Sequence, residues 1–130
     1  MPGETNLSII LKSLAPVLNH GEYTFCTVKQ DHLIDIKNIV CFFRESEAVS
    51  IIIKKDLADR LNLPYSTMLS WITLTVHSSL EAVGLTAAFS KALSEAGISC
   101  NVVAASYHDH IFVPKNDAER AMKILKGLSA

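Results

Sequence analysis

At 130 residues and a formal net charge of −1, the chain is long enough for one ordinary domain or for two very small ones that share a core. Apolar residues make up 49% of the chain and charged residues 19%, a balance that supports a packed core and excludes a disordered protein. The near-neutral charge, with no run of Lys and Arg interleaved with aromatic residues, excludes a basic surface for nucleic acids, so we expect no nucleic-acid partner.

The first half of the chain predicts a helix, three strands and a second helix. Apolar residues recur at helical spacing from Leu7 to Leu18, and Pro16 with the Asn-His-Gly sequence after Leu18 should end that helix. β-branched and aromatic residues predict the strands. Pro64 should stop the second helix. The predicted elements are a helix over residues 7–18, strands over 23–28, 39–43 and 49–53, and a helix over 56–63.

The second half repeats this order with an additional long helix. Gly97 should end that helix, because glycine favours the left-handed conformation that follows a helix. Asn116 or Asp117 can cap the last helix, whose apolar residues form one stripe. The predicted elements are a strand over residues 71–76, a helix over 80–96, a hairpin over 98–105 and 110–113, and a helix ending near residue 128.

The two halves also match residue by residue. At an offset of 60 the matching pairs are Ser46 and Ser106, Ile51 and Ile111, Lys55 and Lys115, Ala58 and Ala118, Asp59 and Glu119, and Arg60 and Arg120. At an offset of 48 the opening strands match, with Tyr23 against Trp71 and Thr27 against Thr75. We interpret this as an internal duplication whose first half has lost the helix after its first strand. Chance similarity between two β-rich hairpins is the alternative.

This pattern predicts an α+β fold with helices on one face of antiparallel sheets. Each half has the order β-α-β-β-α, a split β-α-β arrangement of the ferredoxin-like kind, with a possible last strand borrowed from the other half. We place the halves at residues 1–66 and 67–130. Because the first half lacks a helix, the helix over 7–18 is expected to fill the vacant slot.

The expected location is the cytoplasm. The first apolar stretch contains Lys12 and follows no basic leader, so we expect neither a signal peptide nor a membrane-spanning segment.

The chain has three cysteines, an odd number, without C-x-x-C spacing: Cys26, Cys41 and Cys100. This pattern indicates buried thiols and neither a disulfide framework nor a zinc site. We expect no cofactor.

The segment from Trp71 to Val102 resembles an ACT domain, with Gly84 at the start of the helix and Gly97-Ile98 in the turn that closes it. Together with residues 106–114 it is similar to small bacterial proteins with two ACT domains and unknown function, and more distantly to the ACT modules of the cytosolic arginine sensor of animal cells. The resemblance implies a degenerate ACT-like half at 1–66 and a complete ACT domain at 67–130. It also implies a non-catalytic regulatory module that binds an amino acid or a related metabolite.

The loop before the long helix is the first candidate ligand site. Free backbone N–H groups and the positive end of the helix dipole suit a carboxylate there. An equally physical interpretation is a capping box between Ser78 and Glu81. Gly84 indicates a close approach to its backbone or the true start of the helix. The sequence Glu81-Ala82-Val83 departs from the polar turn common in the family, so the ligand's identity does not transfer. The candidate contacts are Ser78, Ser79, Leu80, Val83 and Gly84.

The triplet His108-Asp109-His110 is the second candidate. It permits a turn and capping role, a ligand contact, or a metal site with His77 as third ligand. Under the resemblance, Asp109 would pair with an ammonium or guanidinium, because an Asp-His pair stands at the matching place in the arginine sensor. The candidate contacts here are Ser106, Tyr107, Asp109 and His110.

Catalysis is not expected. His77 and Ser78 are adjacent, and neighbours on an extended segment point in opposite directions, so they cannot form a base and nucleophile pair. The alternative function is a structural or protein-interaction module without a small-molecule ligand. A small sheet with helices on one face leaves another face or an edge to cover, which favours a homo-oligomer and in particular a dimer.

Overall fold

The computed structural model describes residues 7–30, 34–75 and 84–129. Its helices there are α1 (Leu7–Lys12), α2 (Lys55–Arg60), α3 (Leu85–Glu95) and α4 (Ala118–Gly127). The strands are β1 (Ala15–Leu18), β2 (Tyr23–Val28), β3 (Cys41–Arg44), β4 (Val49–Lys54), β5 (Leu69–Thr75), β6 (Asn101–Ala104) and β7 (Asp109–Pro114). Two compact units result: a small unit, Gly21–Leu69, and a large unit, Met1–His20 with Ser70–Ala130.

The small unit contains the antiparallel strands β3-β4-β2, with α2 following β4 directly. Asn62, at φ 55°, provides the left-handed turn that ends α2, and the Leu63 N–H then donates to the Ala58 carbonyl at 2.9 Å. This turn satisfies a carbonyl at the end of the helix before the chain reaches Pro64. The buried core side chains are Cys26, Val28, Val49, Ile51, Ile53 and Ala58.

In the large unit, β1 pairs with β5, and β7 lies between β5 and β6. Alternate residues of β5 and β7 face α1, α3 and α4 and form the core with them. Phe89 of α3 is completely buried there. The buried core side chains are Ile10, Leu14, Ile72, Leu74, Leu85, Phe89, Leu93, Ile98, Ile111, Val113, Ala121 and Leu125.

The described ranges contain no helix that is both long and apolar enough to cross a membrane. The longest of these helices, α3, has 11 residues, whereas a spanning helix needs about 20.

The two hairpins have the same geometry at the predicted offset. Cys41 pairs with Ile52 in the small unit, and Asn101 pairs with Phe112 in the large unit, so both strands are displaced by 60 residues. The turns close alike, since the N–H of the first turn residue donates to the carbonyl three residues later, at 2.9 Å for Glu45 and 3.0 Å for Ala105. In the large unit α3 lies along the chain between β5 and β6. In the small unit the described residues between β2 and β3 contain only the short 3-10 helix Ile36–Asn38.

The first predicted helix is too long, because residues 15–18 form β1 instead. α1 ends at Lys12, and the Ser13 hydroxyl donates to the Ile10 carbonyl at 2.8 Å just beyond it. Pro16 has no N–H for a helical hydrogen bond and disfavours a helical conformation at the residue before it. As an edge strand, β1 tolerates proline and pairs antiparallel with β5, with Pro16 opposite Leu74.

The expected position of the N-terminal helix also needs correction. Ile10 and Leu14 are buried in the core of the large unit with Phe89, so α1 packs with the second half of the chain and does not fill a slot in the first. The position of α1 follows from the pairing of β1. That strand is the borrowed fourth strand beside β5, so the six-residue helix just before it lies in the same unit.

The long helix begins later than expected and ends as expected. Gly84 is its N-cap at φ 95°, a non-helical conformation, so α3 starts at Leu85 and not at Leu80. At the other end Gly97 has φ 74°, its N–H donates to the Ser94 carbonyl at 2.9 Å, and the Ile98 N–H donates to the Leu93 carbonyl at 3.0 Å. This is a Schellman ending, and Ile98 is buried beside Leu93 in the core.

Candidate ligand-binding site

Asp109 is the first residue of β7 and lies where β5 leaves the sheet. Thr73 of β5 lies beside His110 of β7, with 3.2 Å between the Thr73 hydroxyl and the His110 ring nitrogen Nδ1. The end of β5 at Thr75 and the start of β7 therefore share one edge of the sheet. Residues 76–83, which connect that edge to α3, lie outside the described residues, and with them the candidates Ser78, Ser79, Leu80 and Val83.

Asp109 is a half-buried carboxylate that no other group in the described part of the chain neutralises by a hydrogen bond or an ion pair. No hydrogen bond or ion pair to its side chain is found among residues 7–30, 34–75 and 84–129. Burial raises the pKa of this carboxyl group, and the charge of the adjacent His110 lowers it only partly. Because alternate residues of β7, Ile111 and Val113, belong to the core, Asp109 is on the helix-covered face of the sheet.

Gly84 supplies the start of α3 and cannot be replaced without strain. Its φ of 95° is a conformation that other residues adopt rarely, and a Cβ atom there would lie 3.2 Å from Cδ2 of Leu7. The structure therefore supports the second explanation for this glycine, since the helix begins here, and a close approach by a ligand or a neighbouring chain stays a prediction. The first turn of α3 contains no acidic residue, and Gly84 has no side chain to cap it.

Ser106 and Tyr107 form the turn between β6 and β7. Both side chains are exposed, with Tyr107 at 85% exposure, so neither is part of a formed pocket within the described residues. Their role as ligand contacts stays a prediction. A cavity of about 350 Å³ is lined by α4 residues outside the predicted set: Glu119, Arg120, Met122, Lys123 and Lys126.

His110 takes part in a polar cluster that the sequence analysis missed. The indole N–H of Trp71 donates to His110 Nδ1 at 3.0 Å, and the Thr73 hydroxyl faces the same nitrogen. Asn19, just after β1, donates its side-chain amide to the Thr73 hydroxyl at 2.9 Å and to the Trp71 carbonyl at 3.2 Å. The period-2 alternation of Trp71 and Thr73 places them on one face, but only the pairing of β5 with β7 brings His110 to them.

The Trp71 hydrogen bond fixes the tautomer of His110. An indole N–H is only a donor, so Nδ1 of His110 accepts and carries no proton, and the proton of the neutral ring is on Nε2. Binding a metal through Nε2 would require Nδ1 to take up that proton, against Trp71.

The metal interpretation of the histidine pair gains no support in the described residues. They contain no group of three or more His, Cys, Asp or Glu side chains placed to hold a metal ion, and the third ligand considered, His77, lies outside them. The neighbouring His108 ring lies edge-on to that of His110 with 6.1 Å between centroids. Its Nδ1 is buried and has no hydrogen-bond partner within the described ranges.

Comparison with known proteins identifies both halves. Residues 2–70 match one ACT-domain family model, and residues 68–127 match a second. A crystal structure from Vibrio cholerae, described as a protein of unknown function and possible transport protein, is 43% identical and has a TM-score of 0.87. The match covers 95% of this chain and 96% of that chain. No curated protein matches the sequence significantly.

Two more distant structures share the fold. The ligand-free regulatory subunit of aspartate kinase from Thermus thermophilus has a TM-score of 0.62 at 9% identity, over 89% of this chain and 98% of that one. Aspartokinase III from E. coli, in complex with aspartate and ADP, has a TM-score of 0.60 at 14% identity, over 88% of this chain and 32% of that one. ACT domains are regulatory, non-catalytic modules that generally bind small metabolites. The chain belongs to the ACT-domain family and contains two ACT domains in tandem.

Proposed function

We propose that the protein is a non-catalytic regulatory module that binds an amino acid or a related small metabolite. The ligand's carboxylate lies at the loop 78–84, before α3, and its ammonium group or basic side chain pairs with Asp109. The observation that carries the proposal is Asp109 itself, a half-buried carboxylate whose pKa is raised by burial and for which the described residues provide no hydrogen bond or ion pair. A charged group held in this way is typical of a functional site.

The start of α3 supports the other half of the proposal. The helix is 11 residues long, and its N-cap Gly84 offers no side-chain oxygen to the unpaired backbone N–H groups of the first turn. No acidic residue in that turn repels an anion. A ligand carboxylate would accept from these N–H groups and be stabilised by the helix dipole.

The domain assignment belongs to the same proposal. We regard residues 67–130 as the complete ACT domain that holds the ligand, and residues 1–66 as a degenerate half. The equal register of the two hairpins supports a common origin, and the short 3-10 helix in place of a helix like α3 supports the loss. Three cysteines without disulfide bonds agree with a cytoplasmic location.

The first experiment is a thermal-shift screen against the twenty amino acids at millimolar concentration. A ligand at about 100 times its Kd stabilises the native state by about 2.7 kcal/mol, so at least one amino acid should raise Tm by several degrees. Aspartate deserves an early test because it is bound in the E. coli aspartokinase structure, and arginine because of the resemblance noted above. A flat response to all twenty would contradict the proposal.

Two analogues of any active amino acid separate the two proposed contacts. For an amino acid without a basic side chain, the N-acetyl derivative keeps the carboxylate but has no cation for Asp109, and the amide keeps the ammonium but has no carboxylate for α3. Each should lose most of the stabilisation. If the amide stabilises as well as the amino acid does, the assignment of the carboxylate to α3 is wrong.

A second candidate function, assembly through the small unit, is favoured by one observation. Phe42 and Phe43, consecutive residues of the end strand β3, are 52% and 67% exposed. An exposed apolar strand at the end of a sheet offers unpaired backbone groups to a second copy.

Replacing Phe43 with glutamate should therefore convert a dimer to a monomer in light-scattering measurements, because the charge would be buried between the copies. The control is Ile36→Glu, at an 82% exposed apolar residue outside the strand, which should leave the mass unchanged. A wild-type protein that is monomeric at high concentration would remove this candidate.

A further inference from the structure

We propose that the hydrogen bond between Trp71 and His110 is a proton-sensitive switch on the face of the large unit's sheet opposite the core that contains Ile111 and Val113. The inference needs no ligand and does not depend on the proposed function. It rests on the direction of one hydrogen bond and on the few groups that surround it.

The geometry makes the bond incompatible with a protonated imidazole. Because Trp71 donates to Nδ1 of His110 at 3.0 Å, the neutral ring carries its proton on Nε2. A proton from solvent can then be added only at Nδ1. This places an N–H directly opposite the Trp71 N–H, two donors that repel each other, so the indole must leave its position.

Thr73 can follow the change without moving. Its hydroxyl lies 3.2 Å from Nδ1 of His110 and already accepts the Asn19 amide at 2.9 Å. With Nδ1 unprotonated, Thr73 can only donate to it, whereas with Nδ1 protonated the hydroxyl oxygen accepts through its second lone pair. Protonation therefore keeps the link from His110 to Asn19 and breaks the link to Trp71.

The surroundings hold His110 neutral until the solution is acidic. The described residues of the adjoining strands β5 and β6 contain no Asp, Glu, His, Lys, Arg, Cys or Tyr. Within the described ranges, the charged groups that act on His110 are His108 and Asp109 on β7 itself. Burial and the charge of His108 lower the pKa of His110, and Asp109 opposes them. Trp71 also stacks on Phe112, which is fully buried, with 6.0 Å between ring centroids. Displacing the indole therefore uncovers apolar surface.

The lowered pKa of His110 determines how the stability of the fold depends on pH. A histidine whose pKa is lower in the folded state binds protons more weakly there than when unfolded. The folded state is therefore destabilised as the pH falls from about 6.5 through the folded pKa, and it is unaffected above that window. The switch operates on the acidic side of neutrality.

The experiment uses the intrinsic reporter that the sequence provides, since Trp71 is the only tryptophan in the chain. Tryptophan emission of the wild-type protein is followed between pH 8 and pH 4, together with far-UV circular dichroism to establish that the fold persists. We expect a single transition in emission with a midpoint below about 6.5, the ordinary histidine value. In parallel, the single indole N–H resonance should lose its protection from exchange across the same interval.

Two variants separate His110 from the other four histidines in the chain. His110→Asn places an amide oxygen where Nδ1 was, so it keeps an acceptor for Trp71 that does not titrate, and the transition should disappear. His108→Asn removes a neighbour that lowers the pKa of His110, so the transition should remain and move to higher pH. The proposal is overturned if the wild-type emission is flat while the fold persists, or if the transition survives in His110→Asn.

Discussion

Replacing Gly84 with alanine should lower the free energy of unfolding by about 1–2 kcal/mol, a fall in Tm of roughly 3–8 °C for a chain of this size. The conformation at φ 95° costs a residue with a Cβ atom about 1–2 kcal/mol. The new Cβ also lies 3.2 Å from Cδ2 of Leu7, which must shift by a few tenths of an ångström. The lower chain entropy of alanine in the unfolded state offsets only part of this cost. Thermal and urea unfolding measure the difference.

Two other glycines serve as matched controls. Gly97 has φ 74°, and a Cβ atom there would have no neighbour within 4 Å, so Gly97→Ala carries the backbone strain alone. Gly127 is in α4, has an ordinary φ and also has open space, so Gly127→Ala should be neutral or stabilise by up to about 1 kcal/mol. The excess loss in Gly84→Ala over Gly97→Ala measures the Leu7 contact, and adding Leu7→Ala should remove that excess. Equal stability of Gly84→Ala and Gly127→Ala would contradict the assignment.

Much of the fold followed from the sequence because the two halves share a residue pattern and both match ACT-domain models. The β-rich segments predicted a hairpin in each half, and β3 with β4 and β6 with β7 pair in the same register at the offset of 60 residues. The ending of α3 was also predictable, because a glycine followed by isoleucine supplies both the left-handed turn and the apolar contact of a Schellman motif.

The N-terminal segment was not predictable in the same way. Residues 7–18 have a helical apolar pattern throughout, and the exposed strand β1 leaves Val17 at 50% exposure, so no alternation of buried residues marks it as a strand. The residues become a strand because they pair with the open edge of β5. That strand lies more than 50 residues away in the sequence, as the pairing of Leu18 with Ile72 shows. Pro16 was the one local signal, and its effect extends to the residue before it.

The candidate site also contains residues that the sequence indicates and contacts that only strand pairing creates. Asp109 could be singled out from its neighbours in the chain, whereas the hydrogen bonds of Trp71 with His110 and with Asn19 join segments far apart in sequence. Hydrogen bonds of this kind follow from strand pairing and cannot be read from spacing along the chain.

Replacing Asp109 with asparagine should weaken binding of the amino-acid ligand by about 30-fold or more while making the ligand-free protein more stable at pH 7. Losing one member of a partly buried charge pair costs about 2–5 kcal/mol of binding free energy. The gain in stability has the opposite origin. Burial raises the pKa of Asp109, so its ionised form is unfavourable in the folded state, and the neutral amide removes that cost. Residues that bind ligands are often destabilising in this way.

The pH dependence makes the prediction specific. For a carboxyl group whose pKa is higher in the folded than in the unfolded state, the destabilisation develops as the pH rises from about 4 and is complete above the folded pKa. The stability difference between Asp109→Asn and the wild type should therefore shrink as the pH falls toward 4. Asp56→Asn, at an exposed carboxylate in the first turn of α2, is the matched control for binding and should leave the response to the ligand unchanged. A destabilised Asp109→Asn variant at pH 7 would mean that the carboxylate already has a cationic partner within the chain, and the site would then have no charge left for a ligand.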